Sequence, residues 1–314
     1  MLFDVPKGSW SGNPYIRQLI DHLPDDIEAL GYRQETALEG EYDVVHMHWP
    51  EHRVVGRDRR TRRERRRTYA RWLRRLRTQG TPVIHTRHNR APHDRKGLVD
   101  RLLLRRVPRL IGSRIWLTAA SMEEAGVAPS THDVLIPHGN YLPWIAETRP
   151  GVVTTSKPSG SVRLLSFGAL RPYKNVEETI AAVAASDGFS LLAAGGGRDE
   201  GYIAELISLA GGADNVEVRH GQVPDEELID LILKADAVVA SYKDFYNSGV
   251  AFLALSLDRP VIVPDGPMTR ELREEFGAAW IGLYDPPLTP DGLRQAWDAV
   301  ASHPPAVVWS PERA

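Results

Sequence analysis

Hydrophobic and polar positions along this chain follow two different periods. Short apolar runs, such as residues 162–167 and 189–194, predict buried strands, and each precedes a segment in which apolar residues recur every three or four positions, as in an amphipathic helix. The same alternation is present in the first half, beginning with residues 2–5 and a helix over residues 15–23. Strands that alternate with helices predict an α/β fold with two doubly wound, parallel, Rossmann-like sheets.

The length of the chain and one linker suggest two domains. The chain has 314 residues, which suits two domains of ordinary size. Residues 150–160 are rich in Pro, Gly, Ser and Thr and form the best candidate linker. We therefore predict an N-terminal domain over residues 1–150 and a C-terminal domain over residues 151–314, whose last helix is a candidate to pack back on the first domain. Ligands bind beyond the carboxyl ends of such strands, so a cleft between the domains is the expected active site.

Residues 166–175 have the pattern of a phosphate-binding turn. Gly168 follows a predicted strand, and Arg171 and Lys174 lie just before or at the start of a predicted helix over residues 176–184. A helix N-terminus offers unpaired N–H groups and the positive end of the helix dipole, so this turn is a candidate site for a diphosphate. The alternative is that both cations are ordinary solvated side chains of a loop.

Two further turns in the second half are candidates for ligand contact. Gly195 and Gly196 follow the strand at residues 189–194, where consecutive glycines let the backbone pass close to a ligand. Asn247, Ser248 and Gly249 precede a predicted helix over residues 250–257 and could bind an anion through backbone N–H groups and a hydroxyl. Ordinary helix capping is the alternative for this second turn.

The cysteine count and the apolar runs bound the cellular location. The chain has no Cys, which excludes disulfides, thiol catalysis and thiolate metal sites and favours a cytoplasmic location. No apolar run approaches the roughly 18 residues of a membrane span. The N-terminus lacks a basic region followed by an apolar core, so we predict no signal peptide.

Charge is distributed unequally between the two halves. Residues 1–150 hold 26 Lys and Arg against 18 Asp and Glu, a net charge of +8, whereas residues 151–314 hold 13 against 23, a net charge of −10. Thirteen Arg fall within residues 53–77, followed by apolar residues at helical spacing, which predicts a basic amphipathic helix. A solvated face, an anionic membrane surface and nucleic acid compete as explanations; nucleic acid ranks last because the aromatic residues lie on the apolar face.

Two loops of the first half carry candidate acceptor-side residues. The loop after the first strand contains Gly8, Ser9, Trp10 and Asn13, which could approach a substrate. His48 shares a strand face with His46, but no third ligand is placed to complete a metal site, so we predict packing or substrate contact and no metal.

The loop after the strand at residues 81–86 contains His88, His93 and Asp94. Histidine titrates near neutral pH and is able to take a proton from a sugar hydroxyl. Either histidine could instead bind a ligand by a hydrogen bond or cap a turn.

Taken together, these residues resemble a bacterial glycosyltransferase of the GT-B fold, near glycosyltransferase group 1. The resemblance covers nearly the whole chain and is most specific at Gly168, Arg171 and Lys174. The other stretches that carry it are residues 192–197, 216–224, 247–249 and 259–264 in the second half, and residues 85–89, 93–94 and 136–139 in the first.

The resemblance implies an enzyme that moves a sugar from a nucleotide-diphosphate sugar of UDP or GDP type to a saccharide or lipid-linked saccharide, in bacterial glycan or polysaccharide synthesis. It implies no metal and no cofactor, because Arg171 and Lys174 neutralise the leaving diphosphate. Donor contacts would add Gln222, Val223 and Tyr246, and acceptor contacts would add His138. The location would be cytoplasmic, with the Arg59–Arg77 region as a candidate peripheral contact with the inner membrane face.

One departure from the family pattern bears on stereochemistry. Retaining members carry two Glu eight positions apart, but the corresponding positions here are Phe245 and Leu253. We therefore lean weakly towards inversion, with His88 as the base that deprotonates the acceptor and with His93 and Asp94 as substitutes. Two alternatives remain: a nucleotide-sugar epimerase or phosphorylase of the same fold, and a nucleic-acid-binding protein that uses the Arg-rich helix.

Overall fold

A computed structural model describes residues 1–10, 13–55, 58–90, 97–126, 132–151, 161–301 and 306–313. The chain forms two compact units, residues 1–137 and 138–314. The predicted linker falls largely outside the described residues, and the domain boundaries and domain roles given above stay predictions.

The first unit is a parallel α/β sheet with helices in the connections. Its strands in the described residues are β1 (Leu2–Phe3), β2 (Leu30–Gly31), β3 (Val45–Met47), β4 (Val83–Arg87), β5 (Ile111–Trp116) and β6 (Asp133–Leu135). Its helices there are α1 (Pro14–Asp21), α2 (Gln34–Glu39), α3 (Arg59–Gln79), α4 (Leu98–Leu104) and α5 (Ala119–Glu124). The strand order is β2-β1-β3-β4-β5-β6, and all neighbours are parallel.

The Arg-rich helix α3 begins and ends where its sequence indicates. The Asp58 side chain accepts a hydrogen bond from the Thr61 backbone N–H at 2.8 Å, and Gly80 ends the helix in a left-handed conformation with φ 66°. The apolar side of the helix, with Tyr69, Trp72 and Leu76, is buried in the core of the first unit. Helix α3 is therefore held by its apolar face, and most of its arginines are exposed.

The second unit repeats the architecture. Its strands are β7 (Val162–Phe167), β8 (Phe189–Gly195), β9 (Val216–His220), β10 (Ala237–Val239), β11 (Val261–Pro264) and β12 (Ile281–Tyr284). Its helices in the described residues are α6 (Leu142–Thr148), α7 (Val176–Ala184), α8 (Glu200–Ala210), α9 (Asp225–Lys234), α10 (Gly249–Ser256), α11 (Pro267–Phe276) and α12 (Pro290–Val300). The strand order is β12-β11-β10-β7-β8-β9, again with parallel neighbours.

The prediction of two doubly wound parallel sheets is thus confirmed. Strands β10 and β11 are buried throughout, as expected for a parallel sheet covered on both faces by helices. The elements that the sequence analysis did not predict are β2, α2, α4, α6 and α11. Strand β2 has only two residues, and three of the apolar residues of α4 are exposed, so neither gives the usual periodic signal. Among the described residues, no helix has the length and apolar character needed to cross a bilayer.

Candidate active site

The donor-side candidates flank the point where the second sheet reverses its order. Strands β7 and β10 are neighbours, but the chain proceeds outward from them in opposite directions, to β9 and to β12. Open α/β sheets bind ligands at the carboxyl ends of strands beside such a reversal. Gly168, Arg171 and Lys174 follow β7, and residues 246–249 follow β10, so the fold brings together turns that lie about 75 residues apart in the sequence.

Three glycines make the turn after β7 possible. Gly168 has φ 95°, which disfavours any other residue. A Cβ on Gly195 would lie 1.9 Å from the Gly168 carbonyl oxygen, and a Cβ on Gly197 would lie 2.9 Å from the Leu170 carbonyl oxygen. The glycines therefore let two backbone turns lie in direct contact at the edge of the sheet.

Lys174 is a buried cation without an acidic partner among the described residues. Its side chain is buried and its Nζ donates to the Phe167 carbonyl oxygen at 3.2 Å and lies 5.1 Å from the centre of the Tyr242 ring. A Cβ on Gly168 would be 2.8 Å from this Nζ. Burial lowers the pKa of Lys174 to about 8, and Arg171 contributes to this lowering by repulsion. No described carboxylate pairs with Lys174, so the ammonium group is suited to an anionic ligand.

Arg171 differs from Lys174 in its surroundings. It is exposed and precedes a 3-10 turn, Pro172–Lys174, which ends at Asn175 with φ 54° before α7 begins. The two cations therefore lie just before α7, within the range that the sequence suggested, in a separate turn that faces the glycines. Within the described part of the chain, Arg171 forms no ion pair.

The turn after β10 ends at a helix N-terminus with an uncapped serine. Ser248 is the N-cap of α10, yet its side chain accepts no hydrogen bond from the helix. Its buried hydroxyl interacts with the buried hydroxyl of Tyr242, and neither hydroxyl has another hydrogen-bond partner among the described residues. Tyr246 is also buried, whereas Asn247 and Gly249 are half-buried. The first turn of α10 thus offers a hydroxyl and backbone N–H groups to a ligand.

His138 lies in the second unit, beside the start of α10. Its Nδ1 donates to the Gly139 carbonyl oxygen at 2.8 Å, so its Nε2 accepts from the Tyr141 hydroxyl at 3.1 Å. Burial lowers the pKa of His138 to about 4, and the ring is neutral at pH 7. The Tyr141 hydroxyl would be 2.9 Å from a Cβ on Gly249. His138, predicted as an acceptor contact, is therefore placed behind the donor-side turn.

The remaining donor-side candidates lie at the ends of β8 and β9. Gly196 follows β8, and its backbone accepts a hydrogen bond from Leu170 N–H at 2.8 Å. Gly221 donates to the Gly195 carbonyl oxygen at 3.0 Å, which fixes the start of the next loop against β8. The exposed Gln222 and the half-buried Val223 follow Gly221 directly. All these residues share one edge of the sheet.

In the first unit, a buried carboxylate organises the corresponding sheet edge. Strands β1 and β3 are neighbours at the reversal of that sheet. Asp4 follows β1 and accepts hydrogen bonds from the backbone N–H groups of His48 at 2.8 Å and of Trp49 at 3.3 Å. Burial raises the pKa of Asp4 to about 6, against the opposing effect of the Arg53 charge. Asp4 therefore fixes the segment that carries His48.

His48 and His88 form a hydrogen-bonded pair. His48 Nδ1 lies 2.9 Å from His88 Nε2, and Trp49 stacks on His88 with ring centres 4.4 Å apart. Tyr15 meets the same ring edge-on at 5.0 Å. Burial, together with the nearby histidines, holds the pKa of His48 well below its usual value. His48 is therefore neutral at pH 7, and aromatic contacts fix the orientation of His88.

A cleft of about 160 Å³ opens beside this pair. His48, His85 and His88 line it together with the apolar Val107 and Ile111. Burial lowers the pKa of His85 to about 3, so the wall is uncharged at this point. The neutral imidazoles of His48 and His85, the aliphatic side chains and the charged Glu51, Arg87 and Arg90 make the cleft suitable for a polyhydroxyl ligand with an apolar portion.

The other acceptor-side candidates have mainly structural contacts. Gly8 and Ser9 are exposed in a 3-10 turn, Lys7–Ser9. Trp10 donates its indole N–H to the Val5 carbonyl oxygen at 3.2 Å, and Asn13 caps α1 by accepting from Ile16 N–H at 3.3 Å. His93 and Asp94 lie outside the described residues. The described residues contain no group of three or more His, Asp or Glu suited to a metal ion.

Sequence reasoning missed Asp4, Tyr141 and Tyr242. Each acts through residues far away in the sequence or through its burial, which single-sequence patterns do not reveal. Tyr242 offered the best signal, because it comes three residues after a short buried strand, at the ligand-binding edge of a parallel sheet.

Comparisons with known proteins agree with this arrangement. Residues 154–295 match the model of the family described as glycosyl transferases group 1. A GDP-mannose:glycolipid 4-beta-D-mannosyltransferase of Xanthomonas campestris pv. campestris is 33% identical over 287 residues, which cover 91% of this chain and 79% of the relative. Sucrose-phosphate synthase of Thermosynechococcus elongatus has a similar structure, with a TM-score of 0.62 and 18% identity over 96% of this chain and 89% of that one. The GT-B prediction is therefore confirmed.

The preference for inversion is wrong. The matched family is a retaining one. A trehalose-6-phosphate synthase studied for glycosyl transfer with retention also shares the fold, with a TM-score of 0.57 and 13% identity over 89% of this chain and 70% of that one. The inference rested on the absence of acidic residues at Phe245 and Leu253, which are both buried in the second unit. The absence of acidic residues at these two positions therefore does not indicate inversion.

Proposed function

Because the chain belongs to the glycosyl transferases group 1 family, and transfers sugar from a nucleotide-sugar donor, we propose that its donor is GDP-mannose and its acceptor a glycolipid. The donor and acceptor named for the 33% identical relative support this specificity. The second unit would bind the donor and the first unit the acceptor, in the cytoplasm.

The observation that carries the proposal is the burial of Lys174 without an acidic partner. A buried ammonium group is costly unless a negative charge compensates it. Its Nζ lies at the glycine turn beside β7, across the sheet reversal from the uncapped start of α10. A diphosphate in this position would pair with Lys174 and accept hydrogen bonds from the Ser248 hydroxyl and the backbone N–H groups of α10.

These residues would supply the main stabilisation of the transition state. Departure of the nucleoside diphosphate leaves an oxocarbenium-like sugar and places a growing negative charge on the leaving phosphate. Lys174, Arg171 and the N-terminus of α10 would stabilise that charge without a metal ion. Lys174 would contribute more than Arg171, because charges interact more strongly where water is excluded.

On the acceptor side we propose a contact role for the cleft beside His48 and His88. His88 is not proposed as a catalytic base, because that role depended on inversion. Hydrogen bonds from the imidazoles would orient the acceptor sugar, and the aliphatic wall would contact its apolar surface. The first-unit residues Gly8, Ser9, Trp10 and Asn13 are proposed as the rim of the same site.

Donor specificity can be tested by thermal unfolding in the presence of GDP, UDP, ADP and their sugars. We expect GDP and GDP-mannose to raise Tm more than the other compounds. Transfer is then measured as radiolabelled mannose that passes from GDP-mannose into butanol-extractable lipid of bacterial membranes. The double variant R171A/K174A should lose both the Tm shift and the transfer.

The matched control is R149A/K234A, which removes two exposed cations of the same unit that lie away from the glycine turn. It should retain both activities. Stronger stabilisation by UDP or ADP compounds would contradict GDP specificity. Unchanged binding and transfer by folded R171A/K174A would contradict the proposed site.

A further inference from the structure

A stripe of arginines runs along the exposed side of α3. At 3.6 residues per turn, seven arginines fall within an arc of about 120°, and at 1.5 Å per residue their stripe is about 27 Å long. All seven are exposed: Arg59, Arg60, Arg63, Arg67, Arg71, Arg74 and Arg77. The helix contains one acidic residue, Glu64. The stripe is therefore a concentrated positive surface.

The arginines of this stripe differ from those that bind helix α3 to the rest of the first unit. None of the seven forms an ion pair with a described residue. Two other arginines of α3 do stabilise the first unit, since Arg66 pairs with Asp100 at 2.7 and 2.8 Å and Arg75 donates to the carbonyl oxygens of Ala37 and Gly40. The positive charge of the stripe is thus available to an external partner.

Helix α4, which contacts α3, has an exposed apolar face. Leu98 is 77% exposed, Val99 50% and Leu102 60%. Helical spacing puts these three residues on one side of α4, opposite the buried Asp100, which the Arg66 pair joins to α3. Exposed aliphatic residues grouped in this way are costly in water unless something covers them.

The segment that carries this apolar face also reaches the candidate acceptor cleft. Helix α4 is followed by a 3-10 turn, Val107–Arg109, and then by β5. Leu104, Val107 and Ile111 line the cleft, whereas Leu98 and Leu102 face outward. A ligand held at the outer face would be separated from the cleft by little more than one helix, about 10 Å.

We propose that α3 and α4 form a docking surface for an anionic lipid bilayer, with the arginine stripe on the headgroups and Leu98, Val99 and Leu102 inserted among the acyl chains. Basic residues attract anionic headgroups, and neighbouring apolar side chains add binding when they enter the acyl region. Nucleic acid fits less well, because single strands bind through exposed aromatic residues and the aromatic residues of α3 are buried.

This surface extends the proposed function, and only the delivery of a lipid-linked acceptor to the cleft rests on that function. Docking itself requires neither donor nor acceptor. An inactive protein could still bind vesicles, and an active transferase could fail to do so. The two proposals therefore fail independently.

The test is vesicle flotation with the full chain, using phosphatidylcholine vesicles with and without phosphatidylglycerol. We expect binding only to the vesicles that contain phosphatidylglycerol. Salt of about 1 M, where the Debye length is about 3 Å, should abolish most of it. Equal binding to both vesicle types, or no binding to either, would overturn the proposal.

Two sets of variants test the two parts of the surface. R67E/R71E should weaken binding roughly 25-fold or more, since each basic residue near the membrane contributes about fivefold. Its matched control, R33E/K234E, makes the same change in net charge at exposed positions elsewhere. L98S/V99S/L102S should weaken binding about tenfold or more, and I207S/L209S, which alters exposed residues of α8, should not.

Binding that survives either set of substitutions would overturn the proposal, as would equal losses in the control variants. Each variant is first checked by thermal unfolding, and R67E/R71E should bind GDP as the unmodified protein does. Tight binding of an oligonucleotide at physiological salt without vesicle binding would assign the stripe to nucleic acid instead.

Discussion

The two units have related sheets but form their candidate sites from different groups. Both sheets are six-stranded and parallel, and both reverse their order inside the sheet, between β1 and β3 and between β7 and β10. At the second reversal the ligand would meet glycine backbone, a helix N-terminus and one buried lysine. At the first reversal it would meet histidines and aromatic rings on a segment that a buried carboxylate fixes.

Net charge does not explain which unit would bind the anionic donor. Residues 1–137 contain 25 Lys and Arg against 17 Asp and Glu, and residues 138–314 contain 14 against 24. The proposed diphosphate site thus belongs to the acidic unit, where one desolvated cation and oriented N–H groups act at short range. Much of the surplus charge of the basic unit lies on the exposed side of α3, away from the cleft.

The largest effect is expected from Lys174→Met, which removes the buried cation while retaining an unbranched side chain. Loss of one preorganised group that stabilises the leaving charge should lower kcat/KM about 100- to 1000-fold. Arg171→Ala should cost less, about tenfold, because the Arg171 side chain is exposed. Steady-state kinetics with varied donor measure both. Equal losses in the two variants would remove the distinction between a buried and an exposed cation.

Substitution of Gly195 should have the next largest effect. The new methyl group of Gly195→Ala would lie 1.9 Å from the Gly168 carbonyl oxygen, so one of two backbone turns must move. Overpacking of this kind costs about 3 kcal/mol, which should be seen as a lower free energy of unfolding in urea. Gly212→Ala is the control, because its nearest contact would be 3.9 Å away. A stable Gly195→Ala protein with normal donor affinity would show that the close approach is unnecessary.

The two candidate sites also show how far the sequence could predict functional residues. Gly168, Arg171 and Lys174 lie within seven positions between a strand and a helix, so their spacing made an anion site a candidate, with ordinary solvated side chains as the alternative. The burial of Lys174 could not be predicted, since it depends on Tyr242 and on the turn after β10. The pair of His48 and His88 likewise joins residues 40 positions apart, and it requires the register of β3 against β4.

Alternation of strands and helices was sufficient to predict the fold class. Each long helix has apolar residues at helical spacing, and each buried strand is a short apolar run. Short or atypical elements were missed for the opposite reason. Helix α4 has only seven residues and leaves its Leu98, Val99 and Leu102 exposed, so it lacks the usual amphipathic pattern. The orientation of side chains at the sheet edges depends on tertiary contacts, which the local spacing of apolar residues does not reveal.

Mild acid should destabilise the first unit more than the second. Burial lowers the pKa of His46 to about 4 and that of His85 to about 3, and it lowers the pKa of His48 strongly. Below their unfolded pKa, near 6.5, these histidines take up protons when unfolded but not when folded, so stability falls as pH decreases towards 4. Asp4, with a pKa raised to about 6, opposes this over part of the range.

In the second unit only His138 among the described histidines has a pKa lowered in this way, to about 4. Asp4 offsets about one of the three histidines of the first unit, which leaves two against one in the second unit. Between pH 7 and pH 5 the free energy of unfolding of the first unit should therefore fall by on the order of 2 kcal/mol more than that of the second. Hydrogen–deuterium exchange by peptide, corrected for the intrinsic pH dependence, measures both units in one protein. Equal loss of protection in the two units would contradict the assignment of the titrating groups.

Donor affinity should fall as pH rises, whereas the stability of the first unit falls as pH decreases. Lys174 must be protonated to bind a diphosphate, and in the free protein its pKa is about 8. Affinity for GDP should therefore fall as pH rises above 8, by up to about tenfold per unit. Calorimetry from pH 7 to 9.5 gives the profile. In Lys174→Met the affinity should be lower throughout and flat above pH 8, and a decline that persists in this variant would have to come from another group.

The smallest effect is expected at Arg313, which we regard as a positioning residue for the donor turn. Its guanidinium pairs with Glu275 at 2.5 and 2.6 Å, donates to the His138 carbonyl oxygen at 2.9 Å and lies over the Phe252 ring at 4.9 Å. Phe252 also stacks on the His138 ring, which supports the start of α10 through Tyr141. Arg313→Lys retains the charge but loses the planar fork, so we expect a rise of about threefold in donor KM with kcat nearly unchanged. Arg270→Lys is the control, because Arg270 forms a similar pair with Asp265 at 2.6 and 2.9 Å on an exposed surface. A fall in kcat with unchanged KM would show that Arg313 acts on the reaction rather than on the position of the donor turn.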